Sequence, residues 1–233
     1  MKNHFNVIMS AALIAGCITG SGCQNKQTTT TNNNDNHSVQ TFTNPDDAAK
    51  SALDVLQALA SNSKLNGVLA LSAEEVKQLT VGRSIPLQEI SYQQLLKGDS
   101  MQTLPPPSSE RSRMLYPLEI GNVPRTTAIV SGSNNNWKLS SAGDNNYVAL
   151  LSSQKAEGSS NMSLVEVPGL GISFLRYEIN GGVIYVPDRN VPDAKIMKGE
   201  SMTEQQALQS LVQYAHEFER LHGKEISNKK FTD

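Results

Sequence analysis

Residues 172–187 read ISFLRYEINGGVIYVP, and this stretch decides the fold class. Two runs rich in β-branched and aromatic residues flank Asn180-Gly181, the dipeptide preferred in two-residue type I′ turns. The turn predicts a β-hairpin in which Tyr177 lies opposite Ile184. Because side chains alternate along each strand, one face carries five apolar residues and is predicted to be core: Leu175, Tyr177, Ile179, Ile184 and Val186.

The other face of this hairpin is mixed in character, and it predicts a half-covered sheet surface: Phe174, Arg176, Glu178, Val183 and Tyr185. Arg176 lies opposite Tyr185, a pairing that favours a cation–π contact of about 0.5–1 kcal/mol. The lone tryptophan, Trp137, follows three asparagines, and a rigid aromatic ring beside polar residues suits binding. A single tryptophan also commonly fills a core. Trp137, Arg176 and Tyr185 together are the candidate recognition surface.

Helices are predicted at both ends of the folded part. Asn44-Pro45 and the acids after it begin a helix that ends near Ser61. Ser201 and Glu204 have capping-box spacing and begin the longest helix, predicted to end near His222 before Gly223. Capping residues also predict short helices after Ser72 and after Asp144. Strands are predicted at 83–91, 114–121, 123–131, 137–140 and 162–167.

These elements predict an α+β fold, a mostly antiparallel sheet with the N-terminal and C-terminal helices packed on one side. Pro86 suggests that the strand at 83–91 lies at an edge of the sheet. The predicted organisation is a single globular domain over residues 44–223 and a frayed tail over 224–233. The formal net charge of −2 gives no general argument for nucleic-acid binding, which needs a basic face.

The chain begins with the features of a secretory signal peptide. One lysine and no acid precede the apolar run 7–15, and small residues follow it. Ile14-Ala15-Gly16-Cys17 resembles the lipobox of bacterial lipoproteins. This resemblance implies a signal peptide at 1–16, cleavage before Cys17, and a diacylglycerol on the sulfur of Cys17. Cys23, after Gly20-Ser21-Gly22, is a poorer second match and the alternative anchor.

Other interpretations of the two cysteines remain open. A disulfide would close only a small loop, and two thiols without nearby histidines make a poor zinc site. An ordinary cleaved signal and a cytoplasmic role are further alternatives. Within the lipoprotein class, aspartate after the lipidated cysteine favours the inner membrane of Gram-negative hosts. Ile18 or Gln24 stands there, which favours the outer membrane, on its periplasmic or surface side.

Residues 17–43 are polar and of low complexity, with few large apolar side chains. Such a segment cannot bury enough surface to order itself, so it predicts a disordered tether. About 20 flexible residues have an end-to-end distance of about 25 Å. The folded domain would therefore be held near a membrane by its lipid anchor.

Motifs of catalysis are not found in the sequence. There is no G-x-S-x-G motif and no P-loop. His216 and His222 are six residues apart, about 240° around a helix, so they cannot share a metal ion. No cofactor, metal or catalytic residue is therefore predicted. The sequence favours a non-enzymatic adaptor domain that binds another envelope protein. The alternatives are a small-ligand or polysaccharide binder, and a hydrolase whose site assembles only in space.

Overall fold

The computed structural model describes residues 39–62, 69–98, 103–104, 112–153 and 160–228. The predicted signal peptide, Cys17, Cys23 and nearly all of the tether lie outside these ranges. The described residues from Thr41 onward belong to one unit.

The described part of the chain contains five α-helices and nine strands. The helices are α1 (Pro45–Ser61), α2 (Ala73–Lys77), α3 (Tyr92–Leu95), α4 (Val148–Ser153) and α5 (Glu204–Asn228). The strands are β1 (Thr80–Val81), β2 (Ile85–Glu89), β3 (Ser112–Ile120), β4 (Val123–Ser133), β5 (Asn136–Asp144), β6 (Ser160–Val167), β7 (Ile172–Ile179), β8 (Gly182–Pro187) and β9 (Met202–Thr203). They form one sheet in the order β5-β4-β3-β2-β6-β7-β8-β9, with β1 also paired to β3. Only β2 and β6 pair in parallel, which confirms the predicted α+β class.

The hairpin of β7 and β8 has the predicted geometry. Asn180 and Gly181 have φ values of 51° and 78°, the left-handed conformations that a type I′ turn requires. Tyr177 lies opposite Ile184, as the turn predicted. The five residues of the predicted core face belong to one apolar cluster or pack against it.

The terminal helices pack on the same face of the sheet, which we call the helix face. Alanines and Leu56 of α1 pack against Tyr116 and Val130 of β3 and β4. Leu208 and Leu211 of α5 pack in a second cluster. This cluster contains Val165 of β6, Phe174 of β7 and Tyr185 of β8. The alternation of side chains and the strand register place both clusters on one side. The segment of α4 packs on the opposite face through Tyr147, Leu150 and Leu151.

The predicted edge position of Pro86 is wrong. Its strand, β2, lies inside the sheet between β3 and β6. The ladder to β6 begins only at Leu87, whereas the ladder to β3 already includes Pro86. Pro86 therefore has a paired neighbour on one side only, and a residue without an amide hydrogen is accommodated there.

The long helix α5 begins and ends later than predicted. Residues 202–203 form β9 against β8, so the helix starts after them. Its cap is Thr203, whose hydroxyl accepts from the Gln206 amide at 3.3 Å while the Gln206 side chain accepts from the Thr203 amide at 2.8 Å. The predicted pairing of Ser201 with Glu204 is therefore wrong. The helix also continues through Gly223 to Asn228, and the rest of the predicted tail lies outside the described residues.

The helix predicted directly after Asp144 starts later, at Val148. Asp144 is the last residue of β5, and its carboxylate accepts a hydrogen bond from the Asn146 amide at 2.8 Å. This bond shapes a turn between strand and helix. The capping box predicted at Ser72 is confirmed, because its side chain and that of Glu75 bond reciprocally to each other's backbone amides.

Candidate functional site

The second face of the hairpin is more buried than the sequence indicated. Phe174 is 0% exposed and Tyr185 is 2% exposed, because α5 packs over them. Tyr185 is therefore a core residue of the folded domain. Near the turn this face opens, and the Arg176 and Glu178 side chains remain 24% and 35% exposed.

Arg176 lies opposite Tyr185, as the register predicted. Burial raises the pKa of Tyr185 above its ordinary value, and the charge of Glu204 acts in the same direction. The neighbouring Arg176 guanidinium lowers the pKa and so opposes this rise. Burial is the largest of these influences, so the phenol stays protonated.

A β-bulge in β6 brings further polar groups to Arg176. Ser160 pairs with Glu178 and Ser163 pairs with Arg176, so two residues of β6 stand opposite one of β7. Asn161 in the bulge has a φ of 49°, in the left-handed region. Its side-chain amide donates to the Glu178 carboxylate at 2.8 Å, and its backbone carbonyl oxygen accepts from the Arg176 guanidinium at 3.5 Å. Bulges often redirect side chains next to binding sites.

Glu178 is an ionised carboxylate in this arrangement. The hydrogen bond from the Asn161 side chain lowers the pKa of Glu178, and the bond and charge of Arg176 lower it further. The Arg176 Nη2 atom lies 3.3 Å from Glu178 Oε1. One cation and one anion therefore stand side by side, and the bulge amide holds the anion in place.

Ser163 contributes an unsatisfied hydroxyl to the same place. The residue is 3% exposed and stands across the ladder from Arg176. Within the described part of the chain, its Oγ is the one buried side-chain polar atom that lacks a hydrogen-bond partner. A hydroxyl buried in this way destabilises a fold by about 1–3 kcal/mol relative to a satisfied one. It therefore stands out from the other buried polar groups.

The adjoining strand β2 leaves the helix face open beside these residues. Pro86 is exposed and Gln88 half-buried, although β2 is an internal strand. The cause is the separation of the two long helices, since α1 contacts β4 and β5 while α5 contacts β8 and β9. The strands under the two helices, β4 and β8, are five strand spacings or about 24 Å apart. Two helices in contact have axes about 8–10 Å apart, so α1 and α5 leave part of the sheet between them uncovered. We call the polar residues at the bulge the bulge patch: Asn161, Ser163, Arg176 and Glu178.

Trp137, the third predicted recognition residue, lies far from the bulge patch. It stands on β5, five strand spacings or about 24 Å from β7 along the sheet. Its half-buried side chain packs against the cluster under α1. Its backbone forms two hydrogen bonds of 2.7 and 2.8 Å with Phe42. The structure thus brings Arg176 and Tyr185 together but not Trp137, and Phe42, predicted to lie in the tether, pairs with the sheet edge.

A second polar network occupies the opposite face of the sheet. The Tyr147 hydroxyl donates to Glu166, which also pairs with Arg113 at 2.9 Å. Burial and the neighbouring Glu166 raise the pKa of Tyr147, so it keeps its proton. The neighbouring Ser173 lowers the pKa of this phenol and opposes the rise only in part. Tyr147, Glu166 and Arg113 each have a partner, and their network fixes the segment before α4 onto the sheet.

Two further properties concern metals and membranes. Among the described residues, no three His, Cys, Asp or Glu side chains converge as metal ligands would. The helices in the described ranges include none with the length and apolar character needed to cross a membrane. The His222 ring packs against Phe218 at 4.8 Å between centroids.

Sequence reasoning missed Asn161 and Ser163. The predicted strand at 162–167 begins one residue after Asn161, so the sequence does not place this asparagine in the sheet. Asparagine adopts the left-handed conformation more readily than most residues, and some bulges require that conformation. The asparagine directly before an apolar strand is therefore the one sequence signal that could have indicated this bulge.

Comparison of the chain with protein-family models, with curated proteins and with solved structures finds no match.

Proposed function

We propose that this protein is a membrane-tethered lipoprotein of a bacterial envelope, and that its folded domain binds another envelope protein through the bulge patch. Cys17 is the proposed lipid anchor, with Cys23 as the alternative. The resemblance of residues 14–17 to a lipobox and the polar composition after it support the anchoring. The absence of an acid at position 18 or 24 supports an outer-membrane location in a Gram-negative host.

The open strip of the helix face is the observation that carries the binding function. Pro86 is exposed on this face although its strand is internal to the sheet. The polar groups beside it include a buried hydroxyl with no partner among the described residues. Such groups are more than the fold requires, and a bound partner would both cover the strip and satisfy the hydroxyl.

The route of the chain supports access to this strip. Phe42 pairs with Trp137 on β5, at the far edge of the sheet from β7. Phe42 itself therefore lies about 24 Å from the bulge patch along the sheet, so the described start of the domain does not cover the patch.

Site-specific photo-crosslinking in intact cells tests the proposal. A photoreactive amino acid at Gln88, which is half-buried in the strip, is expected to give a discrete crosslinked product. The same amino acid at Gln57, exposed on α1, is the matched control and is expected to give none. The product should disappear in an Arg176→Gln background. Identical products from both positions, or no product from Gln88, would contradict the proposed function.

A further inference from the structure

We infer that the bulge patch recognises an acidic side chain of the partner protein, whose carboxylate binds the Arg176 guanidinium and the Ser163 hydroxyl together. This inference rests on the proposed function and adds the chemistry of recognition. Arg176 and Ser163 face each other across the ladder of β6 and β7. A carboxylate has two oxygens, and these can accept from the two donors at once.

The bonds that Arg176 makes within the chain are loose. They measure 3.3 Å to Glu178 and 3.5 Å to the Asn161 carbonyl. Two arginine–carboxylate pairs among the described residues are shorter, at 2.6 Å for Arg125 with Glu75 and 2.9 Å for Arg113 with Glu166. The pair of Arg113 with Glu89, at 3.4 Å, is as long as those of Arg176. A guanidinium has five N–H donors arranged to hold a carboxylate with two parallel bonds. Arg176 therefore retains donors for a better acceptor.

Glu178 does not depend on Arg176 for its place. The Asn161 amide donates to its Oε2 at 2.8 Å, a shorter bond than the one from Arg176 to its Oε1. When Arg176 turns to an incoming carboxylate, Glu178 keeps its bond to the bulge and reaches water through its exposed part. Glu178 thus balances the charge of Arg176 in the free protein and gives way to a ligand that satisfies more donors.

The surroundings strengthen an interaction at this place. Three quarters of the Arg176 side chain is buried, and Ser163 is almost completely so. A charge-assisted bond is stronger in such a site than on an open surface, because water screens it less. The hydroxyl of Ser163 is buried and lacks a partner among the described residues, so a ligand oxygen must displace neighbouring side chains to reach it and then adds a hydrogen bond that replaces none.

Binding of two short peptides to the full chain in detergent micelles tests the inference. The probes are triglutamate and triglutamine, each with acetylated and amidated ends, and the readout is the Nε–H signal of Arg176 in arginine-labelled protein. We expect triglutamate to shift this signal saturably and to bind about tenfold more tightly than triglutamine. Arg176→Gln should remove the difference. Arg176→Lys should remove most of it, because the ammonium cannot form two parallel bonds.

Two further variants separate the proposal from general electrostatics. Ser163→Ala is expected to weaken triglutamate binding about threefold or more while triglutamine is unaffected. Arg189→Gln is the matched control, because Arg189 is exposed and also pairs with a neighbouring acid, Asp188, at 3.2 Å. Its removal should leave the affinity unchanged. Equal binding of both peptides, or triglutamate binding that survives Arg176→Gln in a variant with an unchanged circular dichroism spectrum, would overturn the inference.

A third probe, polygalacturonate, distinguishes the source of the carboxylate. Tighter binding of this polymer than of triglutamate, dependent on Arg176, would overturn the assignment to a protein partner. The outcome is also separable from that of the crosslinking experiment. A crosslink at Gln88 that persists without Arg176 refutes carboxylate recognition and retains the interface. Triglutamate binding without any crosslink supports the carboxylate site and contradicts the proposed protein partner.

Discussion

Replacement of Ser163 by alanine should stabilise the folded protein. Its hydroxyl is buried and has no partner within the described residues, and such a group costs about 1–3 kcal/mol. Alanine removes only the oxygen atom. The small cavity left behind lowers the stability by a few tenths of a kcal/mol, at about 24 cal/mol per Å³ of cavity, and so offsets part of the gain. The free energy of unfolding should therefore rise by about 1 kcal/mol. For a domain of this size, that raises Tm by about 2–4 °C.

Urea unfolding monitored by tryptophan fluorescence measures this effect, with an unchanged slope of free energy against urea as the sign of two-state behaviour. Ser173→Ala is the matched control on the next strand. Ser173 is also buried, but its hydroxyl lies near the Tyr147 phenol and is not among the described buried side-chain atoms that lack a partner. Its loss should lower the free energy of unfolding by about 1 kcal/mol.

The two serine variants are thus expected to change stability in opposite directions. If Ser163→Ala destabilises the protein as much as Ser173→Ala does, then the Ser163 hydroxyl has a partner in solution, such as a buried water. That result would refute the reasoning, and it would also remove the free donor on which the carboxylate site depends.

Four other substitutions have defined outcomes. Cys17→Ala should abolish fatty-acid labelling and release the protein to soluble fractions, whereas Cys23→Ala should do neither; the reverse result would move the anchor. Asn161→Gly keeps the left-handed backbone but removes the amide donor, so the pKa of Glu178 should rise toward its ordinary value in a carbon-13 NMR titration. A carboxyl group whose pKa is depressed by folding stabilises the folded protein, and this stabilisation is lost as the pH falls through that pKa. The Asn161→Gly variant should therefore lose less stability than the parent protein below about pH 4.5. An unchanged Glu178 titration would show that groups other than Asn161 lower the pKa of Glu178. Tyr116→Phe removes a 2.6 Å hydrogen bond to the first turn of α1 and should lower the free energy of unfolding by about 1–2 kcal/mol in urea; no change would mean that water replaces the bond.

The sequence predicted those parts of the fold whose signals are local. A two-residue turn at Asn180-Gly181 sets the register of the strands on either side, so the pairing of β7 with β8 follows from a few residues. The first helix has its cap, its proline and its acids within four residues, and its bounds agree with the prediction.

The errors arose where distant segments decide the structure. Pro86 lies in an internal strand because β6, more than 70 residues later, pairs in parallel beside it. The cap of α5 is Thr203 because β8 pairs with the two residues before the helix. In the same way, Tyr185 is core because α5 covers it, and alternation along its own strand could not show that cover. Such pairings have no signature within a short window of sequence.

The candidate site was predicted only in part for the same reason. Arg176 and Tyr185 were placed opposite each other by the hairpin register. Ser163 and Asn161 join them through the pairing of β6 with β7, and the bulge between these strands changes which residue stands opposite which. Trp137 was assigned to a recognition surface from its neighbours in sequence, yet the sheet order places it on another strand far from the hairpin.

The two polar networks of the sheet differ in how completely their groups are hydrogen-bonded. In the network of Tyr147, Glu166 and Arg113, each group bonds to another member, and the result fixes a segment of chain to the sheet. In the bulge patch, the Arg176 bonds are long and the Ser163 hydroxyl bonds to no described residue. A fold under selection for stability alone would place an apolar residue at such a position, since the volume is small and the surroundings are buried. A serine that destabilises the free protein is explained when a ligand completes its hydrogen bonding, and the Ser163→Ala variant should therefore gain stability and lose carboxylate binding together.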